Sequence, residues 1–286
     1  MKFSCERDEL IGPLQTVNSA IERRQTMAVL SNVLARVEGD RLHMTGTDLE
    51  LQVQTQIPVS GEQDGVITIP ARKFSDICRS LPEGARIDLS LSEQRLNIKS
   101  GRSKFVLSCL SADDFPTTDE ITDGTTFNIT ALKLRKALAR THFAMAVADV
   151  RFYLNGMLWE VENSGLTCVA TDAHRLARHV VEEEWPEISG KHQLIVPRKA
   201  IGELMRLISD SNDALVTITF NERSLQIDVG QTRFTTKLLE GRYPDYERVI
   251  PGQCDYWITG DTSSLKASLQ RCLLYTSPSP RDLSTS

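Results

Sequence analysis

The stretch Val29-Leu30-Ser31-Asn32-Val33-Leu34-Ala35-Arg36-Val37-Glu38 has a counterpart 124 residues later, Tyr153-Leu154-Asn155-Gly156-Met157-Leu158-Trp159-Glu160-Val161-Glu162. The same offset puts Phe3 on Phe127, Leu10 on Leu134 and Thr47-Asp48 on Thr171-Asp172. Further on, Ile69-Pro70 meets Val196-Pro197 and Arg79 meets Arg206. Leu96, Ile98, Gly101 and Phe105 then fall on Leu225, Ile227, Gly230 and Phe234, and each copy closes on an aromatic–Pro pair, Phe115-Pro116 and Tyr243-Pro244. Small drifts of the offset between blocks are what insertions in surface loops produce. Self-similarity at a fixed period marks a repeated architecture, and 286 residues suit about two domains of ordinary size.

The repeat places a first domain at 1–122 and a second at 123–252. A third copy starts at 253–272, where Trp257-Ile258-Thr259 and Leu265-Lys266-Ala267-Ser268-Leu269-Gln270-Arg271 echo Asn128-Ile129-Thr130 and Leu134-Arg135-Lys136-Ala137-Leu138-Ala139-Arg140. From residue 273 to 286 the text becomes a Ser/Thr/Pro-rich tail without period. The break falls inside a repeating element, so this tail is expected to be non-native and the third copy truncated.

Within each copy the pattern is mixed. Leu49, Leu51, Val53, Thr55 and Ile57 alternate with Glu50, Gln52, Gln54 and Gln56, which predicts a strand with one wet face. Ile87-Leu89-Leu91 and Leu96-Ile98 flank a polar turn as a hairpin, repeated by Val216-Ile218-Phe220 and Leu225-Ile227. Pro70 and Pro197 each open a helical stretch, reaching Leu81 and Ile208, because Pro suits the first helical turn. Residues 7–20 and 131–146 read as the other helix of each copy. The fold class is α+β, each domain carrying two helices on antiparallel sheets.

Composition narrows the function. Apolar residues make up 40% and charged residues 25%, with no apolar run long enough for a membrane span. The charged N-terminus has no signal-peptide core, which predicts a cytoplasmic protein without a membrane partner. Cys5, Cys78, Cys109, Cys168, Cys254 and Cys272 are scattered, with neither a zinc spacing nor a disulfide framework, so no metal and no cofactor is expected.

The net charge is −5, but its distribution is uneven. Lys133, Arg135, Lys136 and Arg140 give residues 131–140 a charge of +4. Residues 70–81 and 197–208 each carry +2, so the three segments hold +8 and the rest of the chain −13. Basic helices on an acidic molecule suit a protein that meets phosphate on one face. No base-reading motif accompanies them, which points to contact without sequence preference.

Several segments carry a family. Asp149-Val150-Arg151-Phe152-Tyr153-Leu154-Asn155-Gly156, Thr171-Asp172-Ala173-His174-Arg175-Leu176, Val196-Pro197-Arg198-Lys199, Gly46-Thr47-Asp48-Leu49-Glu50, Pro70-Ala71-Arg72-Lys73 and Gly241-Arg242-Tyr243-Pro244-Asp245-Tyr246 resemble segments of the bacterial sliding clamps, the beta subunits of DNA polymerase III. The resemblance runs from residue 1 to about 272. It implies the DNA clamp fold, with three domains per chain and two chains closed head to tail into a ring around duplex DNA. The ring acts as a processivity factor that tethers the replicative polymerase catalytic subunit, the clamp loader and other repair and replication proteins, in the cytoplasm at the nucleoid. Implied DNA-facing residues are Arg24, Arg72, Lys73, Phe152, Tyr153, Arg198 and Lys199, with Phe152 standing where the family often has Tyr. The implied partner-peptide pocket takes Leu154, Thr171, Ala173, His174, Arg175, Leu176, Pro244, Arg248 and Val249, with Ala173 in place of the usual Gly. The implied homodimer contact of the full-length protein uses Lys73, Arg102, Lys104 and Leu107.

Two rivals are weaker. Asp172-Ala173-His174 and Asp113-Asp114 contain groups an enzyme uses, but Glu50 stands at the repeat position of His174 while Thr-Asp persists, so the shared turn reads as structural. No phosphate-binding loop or nucleophile elbow occurs, and no catalytic residue is assigned. A DNA-independent scaffold of repeated domains would leave the basic helices without a role.

Overall fold

A computed structural model describes residues 1–22, 27–118, 120–208, 214–252, 256 and 258–276. It divides into two compact units, Met1–Tyr243 and Pro244–Ser286. The first unit begins with β1 (Lys2–Glu6), α1 (Arg7–Ser19), β2 (Asn32–Glu38), β3 (Arg41–Thr47), β4 (Leu51–Pro58), β5 (Ser60–Gln63), β6 (Gly65–Pro70), α2 (Ala71–Ser80), β7 (Arg86–Ser92), β8 (Arg95–Ser100) and β9 (Ser103–Ser108). It continues with β10 (Thr125–Thr130), α3 (Ala131–Thr141), β11 (Gly156–Glu162), β12 (Gly165–Thr171), β13 (Leu176–Glu182), β14 (His192–Pro197), α4 (Arg198–Leu207), β15 (Leu215–Phe220), β16 (Ser224–Val229) and β17 (Thr232–Lys237). The second unit holds a short 3-10 turn, Tyr246–Val249, and α5 (Thr262–Thr276), which runs across the 272/273 position where the sequence loses its period.

The duplication is reproduced strand for strand. The order β1-β7-β8-β9 recurs as β10-β15-β16-β17, and β4-β3-β2-β6 recurs as β13-β12-β11-β14. The first copy adds only β5, at the edge beside β1. The two copies share an eight-stranded sheet because β17 pairs antiparallel with β4, from Thr232 opposite Thr55 to Thr236 opposite Leu51. The α+β architecture is thus two equal modules joined edge to edge.

Apolar periodicity decides each element. In α2, Ala71, Phe74, Ser75 and Cys78 are buried at helical spacing, which leaves Arg72, Lys73, Asp76 and Arg79 in solvent. Ile87, Leu89, Leu96 and Ile98 alternate inward along the β7–β8 hairpin. One hydrophobic core runs through both copies, and a smaller cluster of Val29, Leu30, Leu34 and Phe115 caps the first. Each fully buried Leu or Ile contributes about 1.5–3 kcal/mol. Gly46 lets α1 lie close on β3: a Cβ there would sit 2.6 Å from the Val17 carbonyl oxygen. No helix among the described residues is long and apolar enough to cross a membrane.

Two sequence expectations need correction. The strand expected from Leu49 starts at Leu51, because Leu49 adopts φ 79° in the preceding turn. Its wet face is also partly closed: Gln52 is buried, with its amide satisfied by the backbone of Thr118. The helix expected over 131–146 ends at Thr141, whose hydroxyl donates back to Ala137 O at 2.8 Å, and a 3-10 turn at His142–Ala144 follows.

Candidate nucleic-acid interface

The helices form a row. α1 packs on α2 in the first copy and α3 on α4 in the second. Between copies, Gln15, Thr16 and Ser19 of α1 face Glu203, Arg206 and Leu207 of α4 across a cavity of about 240 Å³. The outward faces of this row carry the basic residues. Arg72, Lys73, Lys133, Lys136, Arg140 and Arg198 are exposed. Arg72 and Lys73 have no ion-pair partner among the described residues. α4 differs from α2 in this respect. Arg198 donates through Nη1 to Met145 O at 2.9 Å, and Arg206 pairs with Glu203 at 2.8 Å. Lys199 is engaged by Glu22 and Asp48 of the first copy. Arg24 lies outside the described residues.

The loop before β11 is held by its own charges. Arg151 grips Asp149 with two bonds, Nε to Oδ1 at 3.0 Å and Nη2 to Oδ2 at 2.9 Å, while the Arg151 N–H donates to Asp149 Oδ1 at 2.8 Å. Asn155 closes the loop by accepting from Asp149 N and donating to Asp149 O, both at 2.9 Å. The Arg151 side chain and backbone N–H hold the Asp149 carboxyl down to about 2. On this frame the 3-10 turn Phe152–Asn155 presents Phe152 exposed and Tyr153 half-buried, ring centroids 5.9 Å apart and edge to face. Leu154 points into the core.

The two Thr-Asp turns are superimposable in their bonding. Thr47 Oγ1 donates to Leu51 O at 2.8 Å and accepts from Leu49 N, while Asp48 Oδ1 accepts from Glu50 N and Leu51 N. Thr171 Oγ1 donates to Arg175 O at 2.7 Å and accepts from Ala173 N, while Asp172 Oδ1 accepts from His174 N and Arg175 N. Both Thr-Asp pairs therefore serve the backbone. Of the expected peptide-pocket residues in the first unit, Ala173, His174 and Arg175 are exposed and Leu176 is half-buried. Thr171 is buried, and its N–H donates to the buried Tyr243 hydroxyl at 3.1 Å. Burial pushes the Tyr243 phenol up to about 12. Arg175 also lies over the Phe143 ring, 5.9 Å from its centroid. Nothing in the local sequence singled out Phe143, whose contact spans two separate loops. Pro244, Arg248 and Val249 belong to the second unit, all exposed, with Arg248 paired to Asp245 at 2.7 Å.

Among the residues expected at a chain–chain contact, Lys73, Arg102 and Lys104 are exposed. Leu107 is not: it packs in the core, because β9 alternates and turns Leu107 inward while Val106 faces solvent at 59% exposure. β9 is the outer strand of its sheet, at the position where β17 in the second copy pairs with β4.

Comparison with known proteins agrees with this geometry. Residues 1–119 match the N-terminal domain of the DNA polymerase III beta subunit and residues 128–245 its central domain. The beta sliding clamp of Pseudomonas aeruginosa is 46% identical over 272 residues, 95% of this chain and 74% of the relative. That of Escherichia coli K12 is 41% identical over 275 residues, 96% of this chain and 74% of the relative. The crystal structure of the DNA polymerase III subunit beta from Pseudomonas aeruginosa superposes with a TM-score of 0.91 at 46% identity, covering 95% of this chain and 74% of that one.

Proposed function

The chain belongs to the DNA polymerase III beta subunit family, the bacterial sliding clamps that act as processivity factors in DNA replication, and from that premise we propose how its residues divide the work. Duplex DNA lies along the row of helices, met by Arg72, Lys73 and Arg198, with Arg24 of the same set. Phe152 and Tyr153 stand beside that path on their braced loop. The observation that carries this reading is the recurrence of exposed basic residues in the first turns of α2, α3 and α4 (Arg72, Lys73, Lys133 and Arg198) in a chain of net charge −5. Contact limited to phosphates is indifferent to sequence and sensitive to salt, which suits a protein that slides.

Partner peptides from the polymerase catalytic subunit, the clamp loader and repair proteins dock at Ala173, His174, Arg175 and Leu176 of the first unit; Pro244, Arg248 and Val249 of the second unit keep their peptide-binding assignment from the family resemblance alone. Leu154 and Thr171 support that surface from within. A second copy of the chain adds to the β9 edge, steered by Lys73, Arg102 and Lys104, with Leu107 packed beneath. The pairing of β17 with β4 supports this, since it uses the same edge of the other repeat. The domains run 1–122 and 123–252, with the start of a third at 253–272. The protein does no chemistry of its own and works in the cytoplasm at the nucleoid.

Charge reversal tests the DNA reading. In the full chain, Arg72→Glu, Lys73→Glu and Arg198→Glu together are expected to abolish binding to a short linear duplex at about 50 mM salt while leaving thermal unfolding unchanged. Unaltered duplex affinity would remove the helix row as the DNA face.

A further inference from the structure

Lys199 opens α4 in the second copy, yet its ammonium is engaged by two carboxylates of the first copy, Glu22 and Asp48. These partners lie 177 and 151 positions away in sequence. Asp48 is shielded, its side chain 5% exposed, and that of Lys199 is 30% exposed. The reason that Asp48 is open to this cation lies in the repeat. Each Thr-Asp turn spends Oδ1 of its Asp on two backbone N–H groups. In the second copy the other oxygen is taken locally, by Arg175 Nε at 3.0 Å. Leu51 stands at the position of Arg175 and has no charge to offer, so Asp48 Oδ2 is met by Lys199 instead.

We propose that Lys199 is a positioning residue, the clasp that fixes the first helix turn of the second copy to the Thr-Asp turn of the first. It is thereby withdrawn from the set of DNA phosphate contacts. One cation between two carboxylates leaves a local charge of about −1, which repels phosphate. The same turn receives two backbone-directed ties from the second copy, Lys237 N to Glu50 O at 2.9 Å and Thr236 Oγ1 to Glu50 O at 3.4 Å. The clasp, these ties and the β4–β17 ladder converge on one seam. Burial works to lower the Lys199 pKa, but Asp48 and Glu22 outweigh it and the ammonium is held more firmly than usual. Arg72 occupies the corresponding helix position in the first copy, and it has no ion-pair partner among the described residues. The assignment rests on the proposed DNA-facing helix row only where it contrasts these two residues.

The test uses the full chain with Lys199→Gln, Asp48→Asn, the double variant and Arg72→Gln. Asn at 48 keeps the oxygen that caps the turn, so the fold is retained. Two quantities are measured: the urea-unfolding equilibrium, and the slope of log affinity for a short linear duplex against log salt. Lys199→Gln and Asp48→Asn are each expected to reduce the folding equilibrium constant about tenfold. The double variant should be little worse than either single one. Lys199→Gln should leave the salt slope unchanged, while Arg72→Gln lowers it by about 0.9, one phosphate contact. A slope lowered by Lys199→Gln, or additive stability losses in the double variant, would overturn the clasp. If Arg72→Gln also leaves the slope unchanged, the DNA-facing row fails while the non-additive stability result still stands.

Discussion

Leu49 and Ala173 share one left-handed backbone conformation, φ 79° and 73°, at the third position of the two Thr-Asp turns. Side chains at such angles cost about 1–2 kcal/mol against Gly or an ordinary conformation. The turns tolerate them because four hydrogen bonds from Thr and Asp over-determine each bend. Ala173→Gly is therefore expected to stabilise the chain by about 0.5–1 kcal/mol, the relief of strain less the extra freedom of an unfolded Gly. A raised urea midpoint with an unchanged slope is the expected result. An equal or lower midpoint would show that the strain at Ala173 does not exceed the freedom an unfolded Gly gains.

Tyr243 ties the end of the second copy to its Thr-Asp turn by accepting the Thr171 N–H in a buried setting. Phe115 occupies the matching repeat position in the first copy, so the ring itself fits either way. Tyr243→Phe keeps the packing and strands one buried donor, and a loss of about 1–2 kcal/mol follows. Thermal unfolding of the variant against the parent chain reads this directly. A difference within error would mean the Thr171 N–H finds another acceptor.

Acid should loosen the braced loops before it unfolds the core. Arg151 holds Asp149 down to about 2 from an ordinary 3.8. Backbone N–H groups, Arg175 first and then His174, lower Asp172 as well. Carboxyls with depressed folded-state pKa values add stability that is complete above the unfolded value and fades as pH falls through the folded one. Order in the 149–155 loop is thus expected to be full at pH 5 and to decline between about pH 4 and pH 2. Amide exchange at Arg151 and Asp149, followed across that range, checks the window. Asp149→Asn should abolish the pH dependence of that loop, and a persisting dependence would point to another group.

How much of this was legible in the sequence follows from how local each signal is. The duplicated strand order rests on apolar alternation and paired turn residues, and both repeat within short windows, as in Leu96-Ile98-Gly101-Phe105 and Leu225-Ile227-Gly230-Phe234. Gly101 and Gly230 sit at φ 55° and 57° in matching hairpins, a demand that Gly meets without strain. Helix faces were equally readable, since Arg72 and Lys73 fall opposite Phe74 and Cys78 by spacing alone. What escaped were relations between copies. Lys199 reads as another basic residue on a basic helix until Asp48 and Glu22 are seen beside it. Leu107 reads as an available edge residue, and only the pleat of β9 against the core turns it inward. Pair contacts across 150 or so positions leave no periodic trace.

Gln52 offers the sharpest measure of how the first copy ends. It lies on β4 at the place of Leu176 on β13, so a Leu side chain is already proven in the equivalent strand. In the first copy the Gln amide is buried and completes the segment leading to the second copy, accepting from Thr118 N at 2.9 Å and donating to Thr118 O at 3.4 Å. Gln52→Leu preserves side-chain bulk and adds apolar surface, which by itself would favour folding. It also leaves a backbone N–H and C=O without their partner, a penalty of about 1–3 kcal/mol where water does not reach them. The polar penalty should win, because the Thr118 N–H and C=O have no other hydrogen-bond partner among the described residues. A destabilisation of about 1–2 kcal/mol in urea is expected, together with faster amide exchange at Thr118 and unchanged exchange in the β7–β8 hairpin. Stabilisation instead would mean that solvent reaches residue 118 freely and that the Gln52–Thr118 pair adds nothing to the seam.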